Sequence, residues 1–155
     1  MYPRNRAKGS ASEDLFGQLL SKYGQVNKAT SDQDMYEHWD YSLVPTGSNV
    51  TYTYDVKCPT NYPGFVWLEL ANVNGQAGSL HGKADYMAFH LPDKFLIQKR
   101  EICLTYALHY RQGDVMAMNG NPKPYHVYSR KGKRDQILFM PVQLLAFEAK
   151  YLYIP

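Results

Sequence analysis

The chain has little cysteine, no long apolar run and almost no net charge, and each shortage excludes something. Two cysteines, Cys58 and Cys103, cannot build a disulfide scaffold or a four-thiolate zinc site. No apolar run approaches the ~18 residues that a membrane-spanning helix needs. The opening MYPRNRAKGSASED is too polar to read as a secretory signal. The expectation is a soluble, cytoplasmic protein with no membrane partner. Hydrophobic residues make up 45% and charged residues 20% of the chain, which argues against disorder, a collagen-like repeat and a coiled coil. The 155 residues suit one domain, since domains cluster near ~100–150 residues.

The net charge of +3 says little, but its distribution says more. Arg4, Arg6 and Lys8 lie in an acid-free opening that reads as a basic, flexible arm over residues 1–9. Lys123, Arg130, Lys131, Lys133 and Arg134 form a second acid-free block, within a glycine- and proline-bearing loop region over 113–135. Two such blocks suit a polyanionic partner, and Lys28 and Lys83 are further candidates for phosphate contact. The chain also carries 14 tyrosines, whose apolar bodies and polar tips suit wet surfaces, base stacking or half-buried strands.

Periodicity predicts an α/β (α+β) protein with a mixed sheet and flanking helices. Leu15, Phe16, Leu19, Leu20 and Tyr23 share one helical face, with Ser10 or Ser12 as cap and Gly24 as stop. A turn of helix is expected over 31–38. Alternating strands at 39–44 and 50–57 flank the turn residues PTGSN, and FVWLELANV follows as the third strand of an antiparallel meander. ADYMAFHL and KFLIQKREI read as two further strands, and residues 103–111 as a helix. A strand is expected at YHVYS and another at ILFMPV. QLLAFEAKYLY reads as a closing helix.

The hairpin carries the chemistry. Its turn length places Asp40 opposite Tyr54 or Asp55, and Lys57 shares the face of Asp55 by strand alternation. Adjacent carboxylates repel unless a cation lies between them, and hard oxygen ligands suit Mg²⁺ or Mn²⁺. The alternative is a solvated surface hairpin. Glu13 has the Ser-x-x-Glu spacing of a capping box with Ser10, a purely structural use. Glu69 shares the Phe65/Trp67 face of an otherwise apolar strand and is a further acid, as is Asp85. The scattered histidines lack zinc-site spacing, and Gly75, Gly78 and Gly82 lack the register of a phosphate-binding loop.

Asp40, followed by Asp55-Val56-Lys57 at the end of an alternating strand, resembles the PD-(D/E)xK nuclease superfamily. The stretch GSASEDLFGQLLSKYG supplies the preceding helix, with Glu13 at the matching acidic position. Its Gly-Ser-x-x-Glu opening is similar to archaeal Holliday-junction resolvases. The resemblance covers about residues 8–71. The proline of the family name is missing, and Asp replaces the commoner Glu. The stretch ELANVNGQAGSLHGKADYMAF looks like small phage and mobile-element proteins. The resemblance implies a restriction-endonuclease-like core and a Mg²⁺-dependent DNA endonuclease, in a bacterial host's cytoplasm if phage-encoded. Asp40, Asp55, the Val56 carbonyl, Glu13 and, second in rank, Glu69 would hold the metal, and Lys57 would act on the attacking water. A homodimer is compatible with cutting both strands. The alternatives are a catalytically inactive nucleic-acid-binding module of the same fold and a viral protein-interaction protein.

Overall fold

In the computed structural model the backbone is described for residues 3–155, and side chains from Gly9 onward. The elements in chain order are α1 (Pro3–Leu20), β1 (Gly24–Lys28), β2 (Tyr41–Pro45), β3 (Tyr52–Lys57), β4 (Phe65–Ala71), β5 (Tyr86–His90) and β6 (Lys94–Lys99). There follow α2 (Arg100–Tyr110), β7 (Gln112–Ala117), β8 (His126–Ser129), β9 (Gln136–Pro141), α3 (Val142–Leu145) and β10 (Lys150–Tyr153). The mixed α and β content is as the periodicity predicts. The chain divides into two compact units where its length suggests one core. The first comprises the residues up to Pro59 with Lys83–Lys99 and Ala149–Pro155. The second comprises Thr60–Gly82 and Arg100–Glu148.

The first unit is a six-stranded mixed sheet in the order β1-β2-β3-β5-β6-β10. An antiparallel meander is present, but its strands are β1, β2 and β3. The polar segment Gly24–Lys28 takes the place expected of FVWLELANV, because its backbone pairs with β2 along its whole length. Polarity there reflects an edge strand with one wet face. β5 then joins β3 in parallel, and β6 and β10 continue antiparallel. Pairing with β6 overrides the helical reading of the last residues. α3 is a single turn, and Glu148 turns the chain at φ 57° into β10.

α1 lies on one face of this sheet. Phe16 is fully buried, and Leu19 and Leu20 nearly so, against Tyr41, Leu43, Tyr54, Val56, Phe95 and Ile97. The Phe16 ring stands 5.2 Å from that of Phe95, 5.4 Å from Tyr54 and 6.4 Å from Tyr41. Gly17 allows the close approach, since a Cβ there would come within 2.8 Å of the Tyr41 ring. Ser10 and Ser12 do not cap the helix. It begins at Pro3, which places both in its interior, and the nearly buried Ser12 instead meets His90 Nδ1 at 2.8 Å. Residues 3–9 belong to this helix, in place of the flexible arm that their composition suggests. Met1 and Tyr2, also part of that arm, lie outside the described residues.

The second unit is a four-stranded sheet in the order β4-β9-β8-β7, accompanied by α2 and α3. β4 pairs antiparallel with β9, so FVWLELANV belongs to a different sheet from the hairpin that precedes it. Leu68 opposite Leu138 and Val66 opposite Met140 are buried, while Phe65 and Trp67 place their rings on the other face, 4.3 and 4.8 Å from Phe139. Within the region 113–135, β8 is the strand expected at YHVYS, and β7 runs parallel to it where the composition suggests only loop.

Phe16 meets rings from three strands, β2, β3 and β6. Phe16→Ala should therefore lower stability by about 3–5 kcal/mol, from lost transfer energy and the cavity left behind. Urea unfolding of the variant beside the wild type measures this.

Candidate metal and nucleic-acid site

β3 alternates. Tyr54 and Val56 enter the core beneath α1, which turns Asp55 and Lys57 to the opposite face of the sheet. Tyr41 pairs with Tyr54 across β2 and β3, yet the Asp40 N–H also donates to the Tyr54 carbonyl, at 2.7 Å. Regular pairing thus ends at Tyr41. The Asp40 carboxylate carries the ladder one step further, its Oδ2 accepting the Val56 N–H at 2.7 Å. A side-chain oxygen takes the place of a strand carbonyl, which holds Asp40 beside Asp55.

Both acids are buried, Asp40 at 9% and Asp55 at 5% exposure. Burial first, and then the Asp55 charge, push the Asp40 carboxyl up to about 8, against the opposing pull of the Val56 N–H and Lys57. The Lys57 ammonium lies 3.1 Å from Asp55 Oδ2. The structure therefore brings Asp40, Asp55, Val56 and Lys57 together. Glu13 sits mid-helix on α1, half-buried, which removes its capping use. Burial raises its pKa first, then Asp34, while Lys28 opposes them; Asp14 and Asp55 add smaller contributions. Among the described residues no three His, Cys, Asp or Glu side chains are grouped to hold a metal ion. The acids form a pair. A pair of carboxylates suits Mg²⁺, which binds through one or two of them and retains several waters.

Other candidates are placed elsewhere. Glu69 lies on β4 opposite Ile137 in the second unit, and its Oε1 accepts the Ser79 N–H at 3.1 Å. A hairpin register bringing it near Thr53 does not form, because β4 pairs with β9. Glu69 holds the following loop, where Gly78 passes so close that a Cβ would sit 2.8 Å from Glu69 Cγ. Asp85 ties the start of β5 to β3 by accepting the Thr53 N–H at 2.9 Å and its hydroxyl at 3.2 Å. That is a structural use.

Arg130, Lys131, Lys133 and Arg134 lie in the turn between β8 and β9 in the second unit, whereas Lys123 precedes β8. Arg130 is engaged there. Its Nε donates to Oδ2 of the fully buried Asp135 at 2.6 Å, and its N–H donates to Oδ1 at 2.9 Å. Burial alone would raise the Asp135 pKa, but these bonds, the Arg130 charge and the Ser129 hydroxyl together lower it. Lys123, Lys131, Lys133 and Arg134 are exposed or half-exposed, as are Lys28 on β1 and Lys83 ahead of β5. Arg4, Arg6 and Lys8 fall in the first turns of α1, and their side chains lie outside the described residues.

Two residues carry no signal in the sequence. Asp34 is the strongest charge acting on Glu13, from a segment whose pattern shows only a helical turn. Gln98, 3% exposed, stands in line with Met87 and Asp55 across β6, β5 and β3, on the Asp55 face. That alignment depends on the parallel pairing of β3 with β5, which no local pattern announces.

No protein-family model matches the chain, and neither the curated proteins nor the solved structures contain a match to it. No helix among the described residues is long and apolar enough to cross a membrane.

The Asp40 carboxyl makes stability pH-dependent with a definite sign. Its folded pKa of about 8 exceeds the ordinary 3.8, so between these values the folded state binds the additional proton. Stability should fall as pH rises through that window. Asp40→Asn keeps an acceptor for the Val56 N–H and removes the charge. It should flatten the decline and be the more stable protein at pH 8. Thermal midpoints at pH 5 and pH 8 for both proteins check this, and parallel declines would refute it.

Proposed function

We propose that the protein is a metal-dependent DNA endonuclease that hydrolyses phosphodiester bonds, with a PD-(D/E)xK-type core. The observation that carries this reading is the buried Asp40–Asp55 pair with Lys57 at 3.1 Å from Asp55. Burying two like charges side by side is destabilising, and a divalent cation reverses that cost. The order helix, antiparallel meander and acids at adjoining strand ends is consistent with a restriction-endonuclease-like core.

Asp40, Asp55 and the Val56 carbonyl would hold Mg²⁺ or Mn²⁺, with Glu13 reaching the site through water. Bound there, the metal supplies a water of lowered pKa and neutralises charge on the scissile phosphate. Asp40 must give up its proton to bind, because burial keeps it protonated near neutral pH. Lys57, held by Asp55, would orient that water or stabilise the charge developing on the phosphate. The exposed Lys131, Lys133 and Arg134 provide phosphate contacts that add affinity and little sequence information. Arg130 is set apart, since its guanidinium balances Asp135.

Supercoiled plasmid incubated with Mg²⁺ tests the chemistry. Asp40→Asn, Asp55→Asn and Lys57→Ala should each lower cleavage at least about 100-fold with the fold intact, a loss in keeping with removing a group that stabilises transition-state charge. An Asp55→Asn protein that cuts at the wild-type rate would exclude the site. Nicked circles would point to a monomer cutting one strand, and linear product to a dimer. DNA binding by a wild type that never cuts would favour the inactive binding module.

The basic turn is tested separately. Lys131, Lys133 and Arg134 changed together to Ala should weaken DNA binding across sequences. The log–log salt slope should flatten by roughly 0.9 for each phosphate that the variant no longer neutralises. Binding titrations at several salt concentrations measure it, and an unchanged slope would make the turn an ordinary solvated surface.

A further inference from the structure

The segment between β1 and β2 is tied down along its length. The Ala29 N–H donates to the Asp40 carbonyl at 2.7 Å, so the loop leaves and returns at Asp40. Thr30 and Gln33 cap the helical turn that follows, residues 31–37, in a reciprocal way. The Thr30 N–H donates to Gln33 Oε1 at 3.0 Å, and the Gln33 N–H donates to Thr30 Oγ1 at 3.2 Å. Over Gln33–Glu37 the turn is wound wider than an α-helix, a π-type geometry that recurs at functional sites. His38 ends it at φ 59°. At that end the Glu37 carbonyl accepts the Lys83 N–H at 2.8 Å, and its Oε2 accepts the Trp39 indole N–H at 2.8 Å.

So much fixed backbone would ordinarily bury the side chains at its tip. Here it does the opposite. Met35 and Tyr36 are consecutive and stand 62% and 72% exposed. Two exposed lysines flank them, Lys28 at the end of β1 and Lys83, whose N–H is held by Glu37. Asp34, the residue before Met35, acts on Glu13, and Glu13 acts on Asp40. The turn therefore lies alongside the proposed metal site, within the first unit.

This combination selects an occupant. A flat ring and a thioether held in solvent between two cations match an unstacked base with a phosphate on either side. Stacking on Tyr36 needs only an open base face, Met35 adapts to an irregular apolar surface, and the lysines meet the backbone. An apolar protein partner would use the ring and the thioether and leave both lysines unmatched. Duplex DNA presents such a base only after it has been unstacked, whereas a single strand offers it at little cost.

We propose that Met35 and Tyr36 form a base-stacking wedge beside the metal site, which directs the nuclease to DNA whose bases are unpaired at the cut. This substrate preference rests on the nuclease reading, and the two fail in different ways.

Cleavage in Mg²⁺ of one oligonucleotide, free and annealed to its complement, tests the wedge. The wild type should show the higher kcat/KM on the free strand. Tyr36→Ala should lower the ratio of single-strand to duplex kcat/KM about fivefold or more, the lower end of what losing one base–aromatic stack costs. Met35→Ser should lower it in the same direction. Tyr36→Phe keeps the flat ring and should keep the ratio. Both side chains lie mostly in solvent, so thermal midpoints of the variants should match the wild type. A wild type that cuts neither substrate would remove the nuclease reading and the wedge with it. A wild type that prefers the duplex, or a Tyr36→Ala protein with the wild-type ratio, would overturn the wedge alone. So would a change from dimer to monomer in Tyr36→Ala on gel filtration, which would make the pair a contact between copies of the chain.

Discussion

The first unit turns on a carboxylate that behaves as a backbone carbonyl. Where the β2 ladder ends at Tyr41, Asp40 Oδ2 takes the Val56 N–H at 2.7 Å and extends the pairing through a side chain. That bond satisfies a buried donor, which would otherwise cost about 1–3 kcal/mol. It also anchors a charge beside Asp55, 5% exposed, where electrostatics favour neutrality. Structural gain and electrostatic cost are therefore attached to one atom. Asp40 resolves the conflict by holding its proton until about pH 8.

The surrounding elements serve that arrangement. Phe16, Leu19 and Leu20 fix α1 on Tyr54 and Val56, and this burial decides which way β3 faces. Once Tyr54 and Val56 point inward, Asp55 and Lys57 have no choice of side. The Lys57 ammonium offsets part of the Asp55 charge but does not remove the burden on Asp40, whose pKa stays raised. While Asp40 keeps its proton, Asp55 and Lys57 balance each other, and ionising Asp40 leaves one negative charge in excess.

The two faces of this sheet have different chemistry. One presents the carboxylate pair, and the other carries the core that α1 covers, with Tyr52 and Tyr86 packed at its margin. Acids and phenols separate by strand period alone, since Tyr52 and Tyr54 alternate with Thr53 and Asp55. In the second unit, the basic turn has its own internal balance. Arg130 holds buried Asp135, and its neighbouring cations are exposed.

What the sequence determined by itself is local. Period-two alternation over β3, the β2–β3 turn and the Leu15–Leu20 helical face are short-range patterns, and from them the adjacency of Asp40 and Asp55 was legible. The choice of Tyr54 or Asp55 as Asp40's partner had a physical answer that no spacing contains. The backbone stops at Tyr54, and the side chain goes on to Val56. Tertiary structure decided everything that depends on distant partners. Polar Gly24–Lys28 became a strand because β2 offered a ladder, and Lys150–Tyr153 became one because β6 did. Glu69 left the site because β4 pairs with β9, residues far along the chain. A helix or strand propensity is worth a fraction of a kcal/mol per residue, and a ladder with a buried face outweighs it.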